Sequence, residues 1–109
     1  MKIEFKNNIL LIYNNKKDYY NGYFLNLFDT KYNTSDWIIV IKNTKDFYLI
    51  NDEIVSLQKK INNNNLYSLV VVLLFKEEVP FIESINYAPS LIEAFDIIEI
   101  ERIERDLKI

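Results

Sequence analysis

The side chains able to do chemistry in this 109-residue chain are carboxylates, lysines, tyrosines and serines, because the sequence holds no His and no Cys. Without imidazole, the commonest general base, metal ligand and triad member is missing. Without thiolates, disulfides and Cys nucleophiles are excluded, and zinc would need an all-oxygen site, which is unusual. Gly22 is the only glycine, so the chain has no glycine-rich phosphate loop, dinucleotide fingerprint or nucleophile elbow. These counts predict a protein with no catalytic residue, no metal and no cofactor.

The carboxylates that stand together in sequence are Glu77-Glu78 and the set Asp96, Glu99, Glu101, Glu104 and Asp106. Two carboxylates on separate elements can work as an acid/base pair, and the same groups could hold magnesium through oxygen alone. The favoured reading is plainer: a solvated helix face in which Glu99–Arg102 (i,i+3) and Glu101–Arg105 (i,i+4) support the helix by about a few tenths of a kcal/mol. Tyr19, Tyr20, Tyr23 and Tyr32 could offer aromatic contacts to a partner, or pack in the core with their hydroxyls at the surface. Ser56 and Ser68 fall in predicted regular elements and are expected to be structural.

Charge narrows the partners. The net charge is −3 and the pI about 4.9. Nucleic-acid binding needs a concentrated basic face. The only basic pairs, Lys16-Lys17 and Lys59-Lys60, are diluted by acidic or neutral neighbours, so no nucleic-acid partner is expected. The longest apolar run, Leu69 to Phe75, is far short of the about 20 residues that a membrane-spanning helix requires. Charge among Met1-Lys2-Ile3-Glu4-Phe5-Lys6 gives no targeting signal. The expectation is a soluble, cytoplasmic protein with no membrane partner. Seventeen Ile and fourteen Asn against two Ala suggest coding bias in an AT-rich genome, so Asn62-Asn63-Asn64-Asn65 reads as a loop rather than a motif.

The elements that must carry these residues follow from periodicity. Ile3 and Phe5 alternate with charge as a half-buried strand. Asn7-Asn8 is a turn, and Ile9 to Tyr13 returns as a second strand to form a hairpin. Asp18 is placed as the cap of a helix from Tyr19 to about Phe28, with a strand as the competing assignment because Gly22 and the aromatics disfavour helix. Trp37 to Ile41 is a strand buried on both faces. A turn from Lys42 to Tyr48 is expected next. Asn51 or Asp52 would then cap a helix with the stripe Ile50, Ile54, Leu57 and Ile61. Leu66 to Phe75 is the second central strand, closed by Lys76-Glu77-Glu78 and Pro80, and Phe81 to Ile85 is a short further strand.

The last element is the clearest. Pro89-Ser90-Leu91-Ile92-Glu93 forms a capping box, with Ser90 as cap of a helix running to about Leu107. Leu91, Ala94, Phe95 and Ile98 make one apolar stripe, and Ile100, Ile103 and Leu107 make a second, rotated one. The second stripe is a candidate homodimer or partner contact; docking on its own domain is the alternative. The order β-β-α-β-α-β-β-α predicts a single α/β domain: a mixed, mainly parallel sheet of about four to five strands with helices packed on it.

The strand-helix-strand-helix run from Trp37 to Leu107 resembles the STAS domain, the fold of anti-sigma-factor antagonists. The pieces that carry the likeness are Trp37-Ile38-Ile39-Val40-Ile41, the helix from Asn51, the strand Leu66 to Phe75 and the opening Pro89-Ser90-Leu91-Ile92-Glu93-Ala94. The closing run from Glu93-Ala94-Phe95-Asp96-Ile97-Ile98-Glu99 to Glu104-Arg105-Asp106-Leu107 is similar to the ending of a group of short STAS-like bacterial proteins. Some of that group carry the name ribonuclease Z, an activity that needs several His ligands and that this chain's composition does not support.

The resemblance implies a non-enzymatic, regulatory protein-interaction module whose partner is a kinase or sigma-pathway protein. It places the contact on a loop from Thr44 through Asp46 to Asp52 and on the start of the following helix. Phe47 and Tyr48 are the candidate anchors, since aromatics dominate interface energetics; the alternative is that both fold into the core. At the position matching the family's phosphoacceptor Ser stands Asn51, followed by Asp52, so the resemblance implies binding without the serine switch. Two other functions compete: a small acidic antitoxin or immunity-type inhibitor that masks a basic site, and, more remotely, an enzyme using carboxylates or magnesium.

Overall fold

A computed structural model of the chain describes residues 2–14, 19–63 and 66–107. Within them the order is β1 (Lys2–Lys6), β2 (Ile9–Tyr13), α1 (Tyr23–Thr30), β3 (Asp36–Ile41), α2 (Thr44–Asn62), β4 (Leu69–Leu73), β5 (Asn86–Ala88) and α3 (Leu91–Leu107). The class and element order are those expected from the sequence. One five-stranded sheet runs β1-β2-β3-β4-β5. β1 pairs antiparallel with β2, and every later pairing is parallel.

The hairpin turns where both Asn7 (φ 55°) and Asn8 (φ 59°) take the left-handed conformation, the requirement of a two-residue turn that matches strand twist. Asn8 then ties the turn to the chain before β3. Its side-chain amide donates to the Thr34 carbonyl at 2.9 Å, and its Oδ1 accepts from Ser35 Oγ at 3.2 Å.

The core has two halves because the sheet is covered on both faces. α1 and α2 lie on one face, where Phe24, Phe47, Ile50, Ile54, Leu57 and Ile61 meet Leu10, Ile12, Trp37, Ile39, Ile41 and Val71. α3 lies on the other, where Ala94 and Ile98 meet Ile38, Val40, Val70, Val72 and Ala88. Every residue of β3 is buried, which is why Trp37 to Ile41 is a continuous apolar run, β-branched from Ile38 on, rather than an alternating one. α3 packs on β3, β4 and β5. On the β1–β2 side of the same face a groove remains, lined by Glu4, Lys6, Ile9, Leu11 and Phe95.

Four sequence expectations need correction. The first helix starts at Tyr23, not Tyr19, because Gly22 precedes it at φ 93°, a left-handed conformation incompatible with a helix interior; the expected cap Asp18 lies outside the described residues. The segment Lys42 to Tyr48 is not a turn region. α2 begins at Thr44, and Asn43 caps it by accepting from the Asp46 amide at 2.9 Å. The apolar stripe simply begins a turn earlier, at Phe47, and Asn51 and Asp52 are helix-interior residues rather than caps. Phe81 to Ile85 is not a strand: the Ile85 amide donates to the Ile82 carbonyl in a turn, and β5 is the next three residues, Asn86–Ala88. The second central strand is shorter than Leu66 to Phe75, running from Leu69 to Leu73, with Leu66 and Leu74 exposed beyond its ends.

Candidate interaction surface

The Thr44 to Asp52 segment does not form the contact loop that the resemblance implied. As the first half of α2 it turns its residues to different sides. Phe47 is buried, edge-on to Phe75 at 6.3 Å between ring centroids, and Asp46 is buried as well. Tyr48 and Asp52 are exposed, and Thr44 and Asn51 are half-buried. Phe47 thus takes the core role that was the alternative for it, and Tyr48 alone of the two aromatics reaches the surface.

Two buried carboxylates that the sequence reading passed over organise the molecule instead. Glu53, 5% exposed on α2, caps α1 from outside that helix. Its carboxylate accepts from the Gly22 amide at 3.0 Å, the Leu25 amide at 2.9 Å and the Tyr19 hydroxyl. Unpaired amides and the positive end of a helix dipole are a natural partner for a buried anion. Burial, and then the hydrogen bond to Glu53, push the Tyr19 hydroxyl well above the ordinary tyrosine range, so Tyr19 remains a donor. The signal was present: Glu53 sits three residues after Ile50, on the buried side of the stripe.

Asp36, 1% exposed at the start of β3, is the second. It accepts from the Ser68 amide at 2.7 Å, from Arg102 Nε at 2.7 Å and from Arg105 Nη2 at 3.3 Å. Arg102 also donates to the Asn7 and Asn8 carbonyls at 2.9 and 3.3 Å, and Arg105 Nη1 donates to Ser68 Oγ at 2.7 Å. Glu101 joins through Ser68 Oγ and the Asn86 side chain, both at 3.3 Å. Burial raises the Glu101 carboxyl above its ordinary value, more than Ser68 and Arg105 lower it.

The two arginines therefore do more than line a solvated face: Arg105 keeps a charge interaction with Glu101, but both arginines donate hydrogen bonds to Asp36. They cross to the sheet and hold β3, β4 and the hairpin turn together. The sequence signal was their rarity: among thirteen basic residues these are the only arginines, and a buried acid is where a planar guanidinium outperforms an ammonium.

This inward pull on the arginines determines what α3 shows to water. At about 100° per residue, Ala94, Ile98 and Arg105 face the sheet, and Ile92, Ile100, Ile103 and Leu107 share a sector of about 80° on the opposite side. The four are exposed by 75%, 55%, 53% and 79% respectively. Asp96 lies at the centre of that sector, between Ile92 and Ile100. The exposed charged residues of the helix are Glu93, Asp96, Glu99, Glu104 and Asp106, all acidic. The structure thus brings together the expected stripe Ile100, Ile103 and Leu107, adds Ile92 to it, and turns it away from the domain's own sheet. From the first stripe, Phe95 moves to the exposed side, at the edge of the groove beside β1 and β2.

The remaining sequence carboxylates do not converge. Glu77 and Glu78 lie beyond the carboxyl end of β4, along a groove of about 350 Å3 formed with Leu73, Phe75, Phe81 and Tyr87. Glu101 is bonded to Ser68, at the other end of that strand. Among the described residues no group of three or more Asp or Glu side chains is arranged to hold a metal ion, and no helix is long and apolar enough to cross a membrane. Compared with protein-family models, curated proteins and solved structures, the chain matches none.

Proposed function

We propose that this chain is a cytoplasmic, non-enzymatic protein-interaction module that binds its partner through the outer face of α3. The observation that carries this reading is the inversion of that helix: its arginines are committed to Asp36 while four large aliphatic side chains stand in water. Exposed aliphatic side chains grouped on one helix face within an acidic surround support a binding surface there. The STAS-like resemblance supports a regulatory role, with a kinase or sigma-pathway protein as partner. The acidity of the exposed face favours a second reading, a small acidic inhibitor that covers a basic site.

A photo-crosslinking residue at Ile103, with a control at Lys59 on α2, tests the module reading in cells. A protein joined at residue 103, absent at residue 59 and lost in Ile100→Gln with a crosslinker at Leu107, is the expected result. A kinase or sigma-pathway protein in the adduct favours the regulatory reading, and a basic nuclease favours the inhibitor. Equal labelling at both positions, or none, removes α3 as the surface.

A further inference from the structure

We infer that the occupant of the α3 outer face is a basic amphipathic helix, with apolar residues along one stripe and Lys or Arg beside it. The inference rests on the interaction-module reading and deepens it by naming the partner's chemistry. Ile100, Ile103 and Leu107 recur at the three- and four-residue spacing by which one helix packs along another. With Ile92 the exposed face spans sixteen residues, about 22 Å for fifteen steps of 1.5 Å, enough for about four turns of a partner helix.

Charge selects among helices. Asp96 sits within the seam, and a carboxylate buried there without a counter-charge is costly. The partner must bring a cation to that point. The rim formed by Glu93, Glu99, Glu104 and Asp106 extends the same demand along both sides of the stripe. A second copy fails on this count: two α3 faces would set Asp96 and the acidic rim of each against those of the other, and like charges across an interface suppress association. No basic side chain of α3 between Leu91 and Leu107 is free to relieve that repulsion, because Arg102 and Arg105 are held by Asp36.

Two synthetic eighteen-residue peptides, one Leu/Lys and one Leu/Glu with the same heptad spacing, separate these possibilities when titrated against the full chain by fluorescence anisotropy. The Leu/Lys peptide is expected to bind, at least tenfold more weakly to Ile100→Gln/Ile103→Gln and to Asp96→Lys, and more weakly as salt is raised. The Leu/Glu peptide is expected not to bind. Thermal melts of the variants should match the parent, since all three positions are exposed. Binding that ignores the Ile100/Ile103 pair, or equal binding of both peptides, overturns the inference. So does a parent dimer that the same pair dissociates in sedimentation, which would make the occupant a second copy. A crosslinked partner at Ile103 in cells, with no Leu/Lys binding, would leave the module reading standing and remove only the basic helix.

Discussion

α2 and α3 are long helices on opposite faces of one sheet, and they distribute apolar and charged residues in opposite ways. α2 turns Phe47, Ile50, Ile54, Leu57 and Ile61 inward, and one of the two carboxylates it buries, Glu53, caps α1. α3 buries only Ala94 and Ile98, sends Arg102 and Arg105 to the sheet and leaves Ile92, Ile100, Ile103 and Leu107 outside. The difference shows that amphipathic spacing does not itself say which stripe is the core. α2 is fixed by apolar burial. α3 is fixed at its far end by ion pairs, which frees its aliphatic residues for something else.

The largest expected effect comes from removing the anchor that makes α3 unusual. Breaking a buried ion pair costs about 3–5 kcal/mol. Arg102 keeps 34% of its side-chain surface in water, so Asp36→Ala should fall toward the lower end of that range in urea unfolding. A loss below about 0.5 kcal/mol, the scale of an ordinary surface change, would mean that α3 is held by Ala94 and Ile98 alone. Leu57→Ala in α2 should cost about 2–5 kcal/mol, as for a filled core site. Ile103→Ala in α3, a change of similar size, should stay within about 0.5 kcal/mol. Equal costs would erase the contrast between the two helices.

Glu53→Ala leaves the Gly22 and Leu25 amides and the Tyr19 hydroxyl without their acceptor, at about 1–3 kcal/mol for an unpaired buried group. Alkaline absorbance titration provides a second readout. Tyr19 and, through burial alone, Tyr87 should ionise above the ordinary value of 10.0 in the parent; in the variant only the Tyr19 step should move part of the way back, since burial is its larger cause and persists. Gly22→Ala should cost about 1–2 kcal/mol for holding an L-residue in the left-handed region, with no steric term, because a Cβ there would meet nothing within 4 Å.

The smallest effect concerns pH. Glu101 is raised in the folded protein from 4.5, so the folded state binds this proton more tightly than the unfolded one. Its contribution to stability is fully present below pH 4.5 and is lost as pH rises through the folded pKa. The parent should therefore gain stability relative to Glu101→Gln as pH is lowered toward 4.5. A difference that is flat with pH would show that Ser68 and Arg105 fully offset the burial.

Much of the fold was legible from local pattern. Asn7-Asn8 between alternating strands gave the hairpin, the unbroken Trp37–Ile41 run gave a strand covered on both sides, and Ser90 gave the start of α3, where its hydroxyl accepts from the Glu93 amide at 3.2 Å. The start of α2 was misplaced because Asn43, Asn51 and Asp52 are all competent caps. The choice fell to Phe47, whose place in the core was not readable from its neighbours. α1 was misplaced because its cap, Glu53, lies thirty-one residues beyond Gly22.

For the candidate surface the division is similar. Composition by itself removed imidazole, thiolate and glycine-loop chemistries, and helical spacing by itself separated the two stripes of α3. Only the tertiary structure decided which stripe faces water. That outcome depends on Asp36, sixty-six residues before Arg102. A buried carboxylate drew the arginines inward and left an acidic, aliphatic face outside, and no local pattern in the helix records the presence of that partner.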